Sequence, residues 1–139
     1  MNEDLVYSTC DTPTVEEFMD VLRRSTLAER RPMDDAECMT QMVTHANLWA
    51  TCRAGGKLVG VARSLTDFGY ACYLADLAVD QAFAKRGIGR RLIDETLARL
   101  GPHGKVILLS APKAVDYYPH IGFTQHPSAW TMAPKKEGV

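Results

Sequence analysis

The sequence predicts a mixed α+β domain, with one sheet and helices packed on its faces. Three observations predict it. Two β-rich runs flank Gly55-Gly56, where glycine supplies the positive φ of a tight hairpin. Two stretches with helical spacing precede that hairpin. A glycine-spaced basic turn then opens a third helix before the continuous apolar run KVILLS.

In chain order, Leu5–Cys10 reads as a first strand, and TPTVEEFMDVLRRS as a helix. Thr14 with Glu17 fits a capping box, and Phe18, Val21 and Leu22 share one buried face. Pro32 breaks this stretch, and Asp34 with Glu37 starts a second helix. Cys38, Met39, Met42 and Val43 face inward there, with His45 near its end. LWATCRA, KLVGVARSLTD and YACYLADLAVD form three sequential antiparallel strands. A helix over Gly87–Leu100 carries Leu92, Ile93, Leu97 and Leu100 as its apolar stripe, and Gly101-Pro102 ends it. KVILLS reads as a parallel strand covered on both faces. A short helix over APKAVDYYPHIG and a hairpin from FTQH to AWTM close the chain. The order β-α-α-β-β-β-α-β-α-β-β gives a sheet of six to seven mostly antiparallel strands and about four helices.

A chain of 139 residues suits one domain, 1–139, with one core. Apolar residues at 46% and charged residues at 24% are the mix of a soluble globular protein. A net charge of −1 gives no global attraction to nucleic acid or to an anionic membrane. The apolar run Val106–Leu109 is far too short to span a bilayer, and MNEDLVYSTC is acidic where a signal peptide is basic and then apolar. These features predict a cytoplasmic protein. Cys10, Cys38, Cys52 and Cys72 form no C-x-x-C pair or zinc spacing, so buried reduced thiols are expected and no metal.

VDQAFAKRGIGRRLIDETL, from Val79 to Leu97, carries the chemistry. The first turn of a helix has N–H groups without intrahelical partners and a partial positive charge. Gly87 and Gly89 permit close approach to that backbone, and Lys85, Arg86, Arg90 and Arg91 surround it with charge. Together they describe a phosphate cradle. Leu92 stands where a dinucleotide fingerprint needs its third glycine, and the P-loop pattern is absent. The alternative is a basic, solvated helix start whose glycines only serve the turn.

LADLAVDQAFAKRGIGRRLI followed by VILLSAPKAVDYYPHIGF resembles the GNAT superfamily of acyl-CoA-dependent N-acyltransferases. The first block matches a strand ending in L-x-V, a polar spacer and [QR]-x-x-G-x-[GA], with Gly87 and Gly89 at the small positions. Tyr117-Tyr118 and Gly122-Phe123 match the second block. Ala84 departs from the pattern at the usual Gln or Arg, and Lys85 or Arg86 could substitute. Ala75-Asp76-Leu77-Ala78-Val79 is also locally similar to the W-D-V-x-V of plant and cyanobacterial arylalkylamine acetyltransferases.

The resemblance implies acetyl-CoA in a gap where two parallel strands splay apart, Tyr73–Asp80 and Lys105–Ser110 by match. The backbone of Leu77, Ala78 and Val79 would face the pantetheine arm, with Ser110, at the end of the second strand, as a further cofactor contact. The backbone of Ala84, Lys85, Arg86, Gly87, Ile88, Gly89 and Arg90 would hold the pyrophosphate, with the arginines, Arg91 included, within reach of the 3′-phosphate. The implied reaction moves an acetyl group to a primary amine of a small molecule by direct attack in a ternary complex. A protein lysine or N-terminal acceptor, and a CoA-binding module without catalysis, are the alternatives. Homodimers are frequent in the family.

Tyr118 matches the family tyrosine and either protonates the departing thiolate or only packs beside the sulfur. Asp76, inside the apolar run YLADLAV, is either the general base facing a polar cleft or a carboxylate satisfying donors at a bulge. Arg63, Asp67 and Tyr73 are candidate acceptor contacts. Trp49, Phe68, Tyr70 and Trp130 are further aromatic candidates for the acceptor pocket or for ordinary packing.

Overall fold

The structure is a computed structural model that describes residues 4–134. It divides into two compact units, one ending at Leu109 and one starting at Ser110.

The first unit is built on a five-stranded sheet in the order β1-β2-β3-β4-β5. The strands are β1 Leu5–Ser8, β2 Leu48–Ala54, β3 Lys57–Thr66, β4 Ala71–Val79 and β5 Lys105–Ile107. β1 to β4 run antiparallel to their neighbours, and β5 runs parallel to β4. Gly55 and Gly56 both take positive φ, at 58° and 83°, and close the β2–β3 hairpin.

Three helices belong to this unit: α1 Val15–Ser25, α2 Ala36–His45 and α3 Ile88–Leu97. At the start of α1, the Glu17 amide donates to Thr14 Oγ1 at 3.1 Å and the Thr14 amide donates to Glu17 Oε1 at 3.0 Å. That reciprocal pair satisfies two orphan donors. Phe18, Val21 and Leu22 are buried, as their spacing predicts. They form one core with Met39 and Val43 of α2, Trp49, Leu58, Val61 and Ala78. Phe18 meets Trp49 edge-on, with ring centroids 5.5 Å apart.

α3 packs on the opposite face. Gly60 permits this, because a Cβ there would lie 2.8 Å from Ile88 Cγ2 and 3.2 Å from Leu92 Cδ1. Residues Leu58 to Ser64 of β3 are buried throughout, since helices cover both of its faces.

Several expectations need correction. α2 is capped by Asp35 rather than Asp34, with the Cys38 amide donating to Asp35 Oδ1 at 3.0 Å. The buried stripe of α3 is Ile88, Leu92, Ile93 and Thr96, while Leu97 is exposed and lies on the last helical residue. The helix ends three residues early, so Leu100 is outside the register that would turn it inward. β5 is a three-residue edge strand with exposed or half-exposed residues, not a strand covered on both faces. Cys10 is exposed, although Cys52 and Cys72 are buried as expected.

The second unit contains a 3₁₀ turn at Pro112–Ala114 and a short helix α4, Tyr117–His120. Gly122 ends it with φ 98°, and the Phe123 amide donates back to the Tyr118 carbonyl at 3.0 Å. Among the described residues the closing hairpin is absent, so the sheet has five strands and not six or seven. Two four-residue arms are too short to stand alone, and Pro127 removes an amide donor between them. Trp130 is 91% exposed, so no burial draws those arms together.

Gly60→Val is expected to destabilise the fold by about 1–3 kcal/mol, the usual cost of overpacking. Thermal or urea unfolding checks this. Glu17 gives a pH dependence: hydrogen bonds from Arg53, and then from the Thr14 amide, push its pKa down to about 2 from 4.5. A folded pKa below the unfolded one means the contribution is complete above about pH 4.5 and is lost as pH falls toward 2. Glu17→Gln is expected to flatten that part of the acid-unfolding curve.

Candidate active site

β4 organises the first unit's site. Its pairing with β5 covers only Ala71↔Lys105, Cys72↔Val106 and Tyr73↔Ile107. From Leu74 to Val79, β4 has β3 on one side and, among the described residues, no strand on the other. Leu77 and Val79 are half-buried along this open edge, and Ala78 points into the core. An open β4 edge can offer backbone groups to an extended ligand arm as a strand would.

The register with β3 slips between Arg63↔Asp76 and Ser64↔Leu74, so Ala75 is an extra residue in β4. Asp76 follows it on the face covered by α1 and α2. Its side chain is fully buried. Arg31 Nε donates to Asp76 Oδ1 at 2.5 Å, and Arg63 Nε donates to Asp76 Oδ2. Arg31 also donates through Nη2 to the Ala75 carbonyl at 2.9 Å, and Arg63 through Nη1 to the Met42 carbonyl at 3.2 Å. Both carboxylate oxygens are therefore held by guanidinium groups. Asp76 does not face an open polar cleft, and Arg63 is spent on Asp76 and α2.

Beyond β4 the chain makes a 3₁₀ turn, Gln81–Phe83, and then the glycine-basic turn. Lys85 takes φ 64° and Gly87 takes φ 76°, left-handed values on either side of Arg86. Such alternation points successive amides toward one side and forms an anion-binding concavity. The Ala84 amide is already donated to the Gln81 carbonyl at 3.2 Å, and the Arg91 amide to the Gly87 carbonyl at 3.0 Å. Between them, the amides of Lys85, Arg86, Gly87, Ile88, Gly89 and Arg90 have no acceptor among the described residues. The run of unpaired amides thus starts at Lys85, one residue after Ala84.

The basic side chains are less free than their number suggests. Arg86 lies over the Phe83 ring, 4.7 Å from its centroid. Arg90 pairs with Asp94 at 3.6 Å, and Arg91 with Glu95 at 3.2 Å. Arg91 also covers the Tyr7 ring at 4.4 Å. Among the described residues, Lys85 has no ion-pair partner, and it is exposed.

Asp67 and Tyr73 lie at the other end of β4. Asp67 Oδ1 accepts from the amides of Gly69, Tyr70 and Ala71 at 3.0, 2.8 and 3.0 Å. Those bonds, led by Tyr70 and Ala71, hold its carboxyl below the usual range and build the β3–β4 connection. Tyr73 is 44% exposed beside Leu65 and Ile107, its register partners. Of the aromatic candidates, Trp49 is core, whereas Tyr70 is well exposed.

Ser110 and Tyr118 belong to the second unit. There Tyr118 packs edge-on between Tyr117 and Phe123, each ring centroid 5.4 Å away. Burial, and then the neighbouring Tyr117, push its phenol pKa up, so it holds its proton near neutral pH.

The whole of this chain from residue 14 to residue 132 matches the model of the acetyltransferase (GNAT) domain. The chain belongs to the GNAT family of acetyltransferases. Among curated proteins it is similar to "GCN5-related N-acetyltransferase 2, chloroplastic" of Arabidopsis thaliana, 29% identical over 73 residues. That match covers 51% of this chain and 28% of the relative, so the chain spans under a third of that protein's length. Among solved structures it is similar in fold to the GNAT family protein SP0256 from Streptococcus pneumoniae TIGR4. The TM-score is 0.77 with 18% identity, over 96% of this chain and 100% of that one. The aminoglycoside N-acetyltransferase AAC(6')-Iy, in complex with CoA, superposes with a TM-score of 0.69 at 14% identity. That likeness covers 99% of this GNAT chain and 97% of the other.

Sequence reasoning missed Arg31, whose partner Asp76 lies 45 residues away. No local spacing signals such a pair. The unusual carboxylate inside an apolar strand is the only signal, and it announces a partner without naming one.

Asp76→Ala is expected to cost about 3–5 kcal/mol, because it leaves two largely buried guanidinium groups without their counter-charge. Urea unfolding measures it, and a loss under 1 kcal/mol would show that the clamp adds little.

Proposed function

We propose that this chain transfers an acetyl group from acetyl-CoA to a primary amine of a small molecule, by direct attack in a ternary complex. One observation carries the reading: a run of unpaired amides from Lys85 to Arg90, directly after an open β4 edge, in a member of this family. The residues fit the cofactor. Nothing lies within 4 Å of where a Gly87 Cβ would be, so the cradle mouth is open to a phosphate. Lys85 supplies the charge that Ala84 lacks. The chemistry that acetyl-CoA brings is an activated thioester carbonyl, and the amine nitrogen displaces the thiol at that carbon.

The chain's own contribution has three parts. The amides from Lys85 to Arg90 hold the pyrophosphate, and the backbone of Leu77 and Val79 aligns the pantetheine arm. Tyr118, kept protonated by burial, gives a proton to the thiolate as the carbon–sulfur bond breaks. Asp76 acts as a positioning residue for β4, a role favoured by its two guanidinium partners, while solvent water takes the proton released by the attacking amine and returns one to the Tyr118 phenolate. In this reading residues 1–139 work as one acetyltransferase domain.

A thermal shift with acetyl-CoA, followed by free-thiol release over an amine panel, tests the proposal. Stabilisation and thiol release with small amines are expected. No shift removes the cofactor reading, turnover of peptide lysines or N-termini alone moves the acceptor to protein, and a shift without turnover of any amine leaves a binding module. Tyr118→Phe is expected to lower kcat by about 10²-fold or more while CoA affinity changes little. An unchanged kcat removes its acid role. Asp76→Asn is expected to leave the acidic limb of the rate–pH profile in place while lowering Tm, and a displaced limb would restore it as the base.

A further inference from the structure

Of the residues whose amides would hold a phosphate, Lys85, Arg86, Gly87 and Arg90 are exposed while Ile88 and Gly89 are buried, and no residue of the preceding turn Gln81–Phe83 is buried. Burial of Ile88 against Gly60 anchors the helical side of the cradle, and its entry side needs an anchor of its own. Asp80, the residue between β4 and that turn, is 6% exposed and is bonded at every polar atom. Its amide donates to the Val59 carbonyl at 2.8 Å, and its carbonyl accepts from the Phe83 amide at 2.8 Å. Its Oδ1 accepts from the Ala82 amide at 2.9 Å, and its Oδ2 is paired with Arg24 Nη1.

Arg24 comes from the last turn of α1. Its Nη2 donates to the Leu58 carbonyl at 2.6 Å, and its Nε to Asp20 Oδ2 at 3.0 Å. One guanidinium therefore joins α1, β3 and the end of β4. The Asp80 carboxylate in turn holds the turn that leads into the cradle.

We propose that Arg24 and Asp80 are positioning residues for the phosphate cradle, so that the C-terminal end of α1 sets affinity for the phosphates of the cofactor. The inference rests on the cradle reading above. Neither residue touches the phosphate. Arg24 acts in two ways: it orients the turn through Asp80, and it neutralises a carboxylate that would otherwise oppose the phosphate charge from five residues upstream of Lys85.

Repulsion between the Asp80 carboxylate and a bound phosphate produces a pattern that a merely structural role does not. Removing Arg24 alone leaves the Asp80 carboxylate, five residues before Lys85, with Lys57 as its remaining positive neighbour. Removing the Asp80 charge as well relieves that repulsion. Isothermal titration with CoA, and separately with pantetheine, which carries no phosphate, measures it. Arg24→Gln is expected to weaken CoA about tenfold and pantetheine less than about twofold. The Arg24→Gln, Asp80→Asn pair is expected to bind CoA more tightly than Arg24→Gln alone, and Arg24→Lys, which keeps the charge but not the fork, to recover part of the affinity. Should Arg24→Gln not fold, Asp80→Asn gives the answer, since it keeps an acceptor for the Ala82 amide.

Wild-type protein that binds no CoA overturns the cradle reading and this inference with it. Wild-type binding with unchanged variants overturns this inference and leaves the cradle intact. Equal losses for CoA and pantetheine, or a double variant weaker than Arg24→Gln, assign Arg24 and Asp80 to general stability only.

Discussion

β4 carries two carboxylates, at Asp76 and just past its end at Asp80, into positions where water cannot satisfy them. Each is instead held by an arginine from the α1 region: Arg31 for Asp76 and Arg24 for Asp80. Each arginine also donates to a backbone carbonyl of the sheet, Ala75 for Arg31 and Leu58 for Arg24. Taking a carboxylate out of water costs several kcal/mol, and only full hydrogen bonding offsets it. The geometry is therefore narrow. α1 and the segment behind it can sit on β4 in one register, and the bulge at Ala75 and the turn at Gln81–Phe83 follow from that register.

The dependence runs in both directions. Apolar burial of Phe18, Val21 and Leu22 brings α1 onto the sheet without specifying direction closely, because hydrophobic contact is non-directional. The forked guanidinium groups supply the direction. A third cluster shows the same division of labour away from the site. Arg53 of β2 pairs with Asp11 at 2.7 Å and with Glu17 at 2.5 Å, and so ties the chain entering α1 to the sheet. Arginines thus hold α1 at its start, at its end and just past it.

Opposite this polar stapling, the α3 face is apolar and close. Gly60 lets Ile88 and Leu92 approach the sheet, which places the start of α3, and with it the unpaired amides, at the end of β4. Both faces bear on this stretch: the start of α3 and the loop before it carry the unpaired amides, and on the α1 side Arg24 pairs with Asp80, which accepts from the Ala82 amide of the preceding turn.

The periodic parts of this fold were legible in the chain itself: the Thr14–Glu17 cap, the α1 face, the Gly55-Gly56 hairpin, the antiparallel meander and the glycine-basic turn. Each rests on residues within a few positions of one another, where local sterics and hydrogen bonds decide the conformation. The family was legible for the same reason, because its two motifs are short and continuous. Helix ends, the burial of β5 and the closing segment were not, since they depend on what the rest of the chain covers. Asp76 shows the boundary most sharply. Its placement in an apolar strand announced that it needed partners, but a base in a cleft and an ion-paired anchor have the same local sequence. Only the tertiary structure brings Arg31 and Arg63 to it across 45 and 13 residues, because long-range pairing is set by packing and leaves no periodic trace.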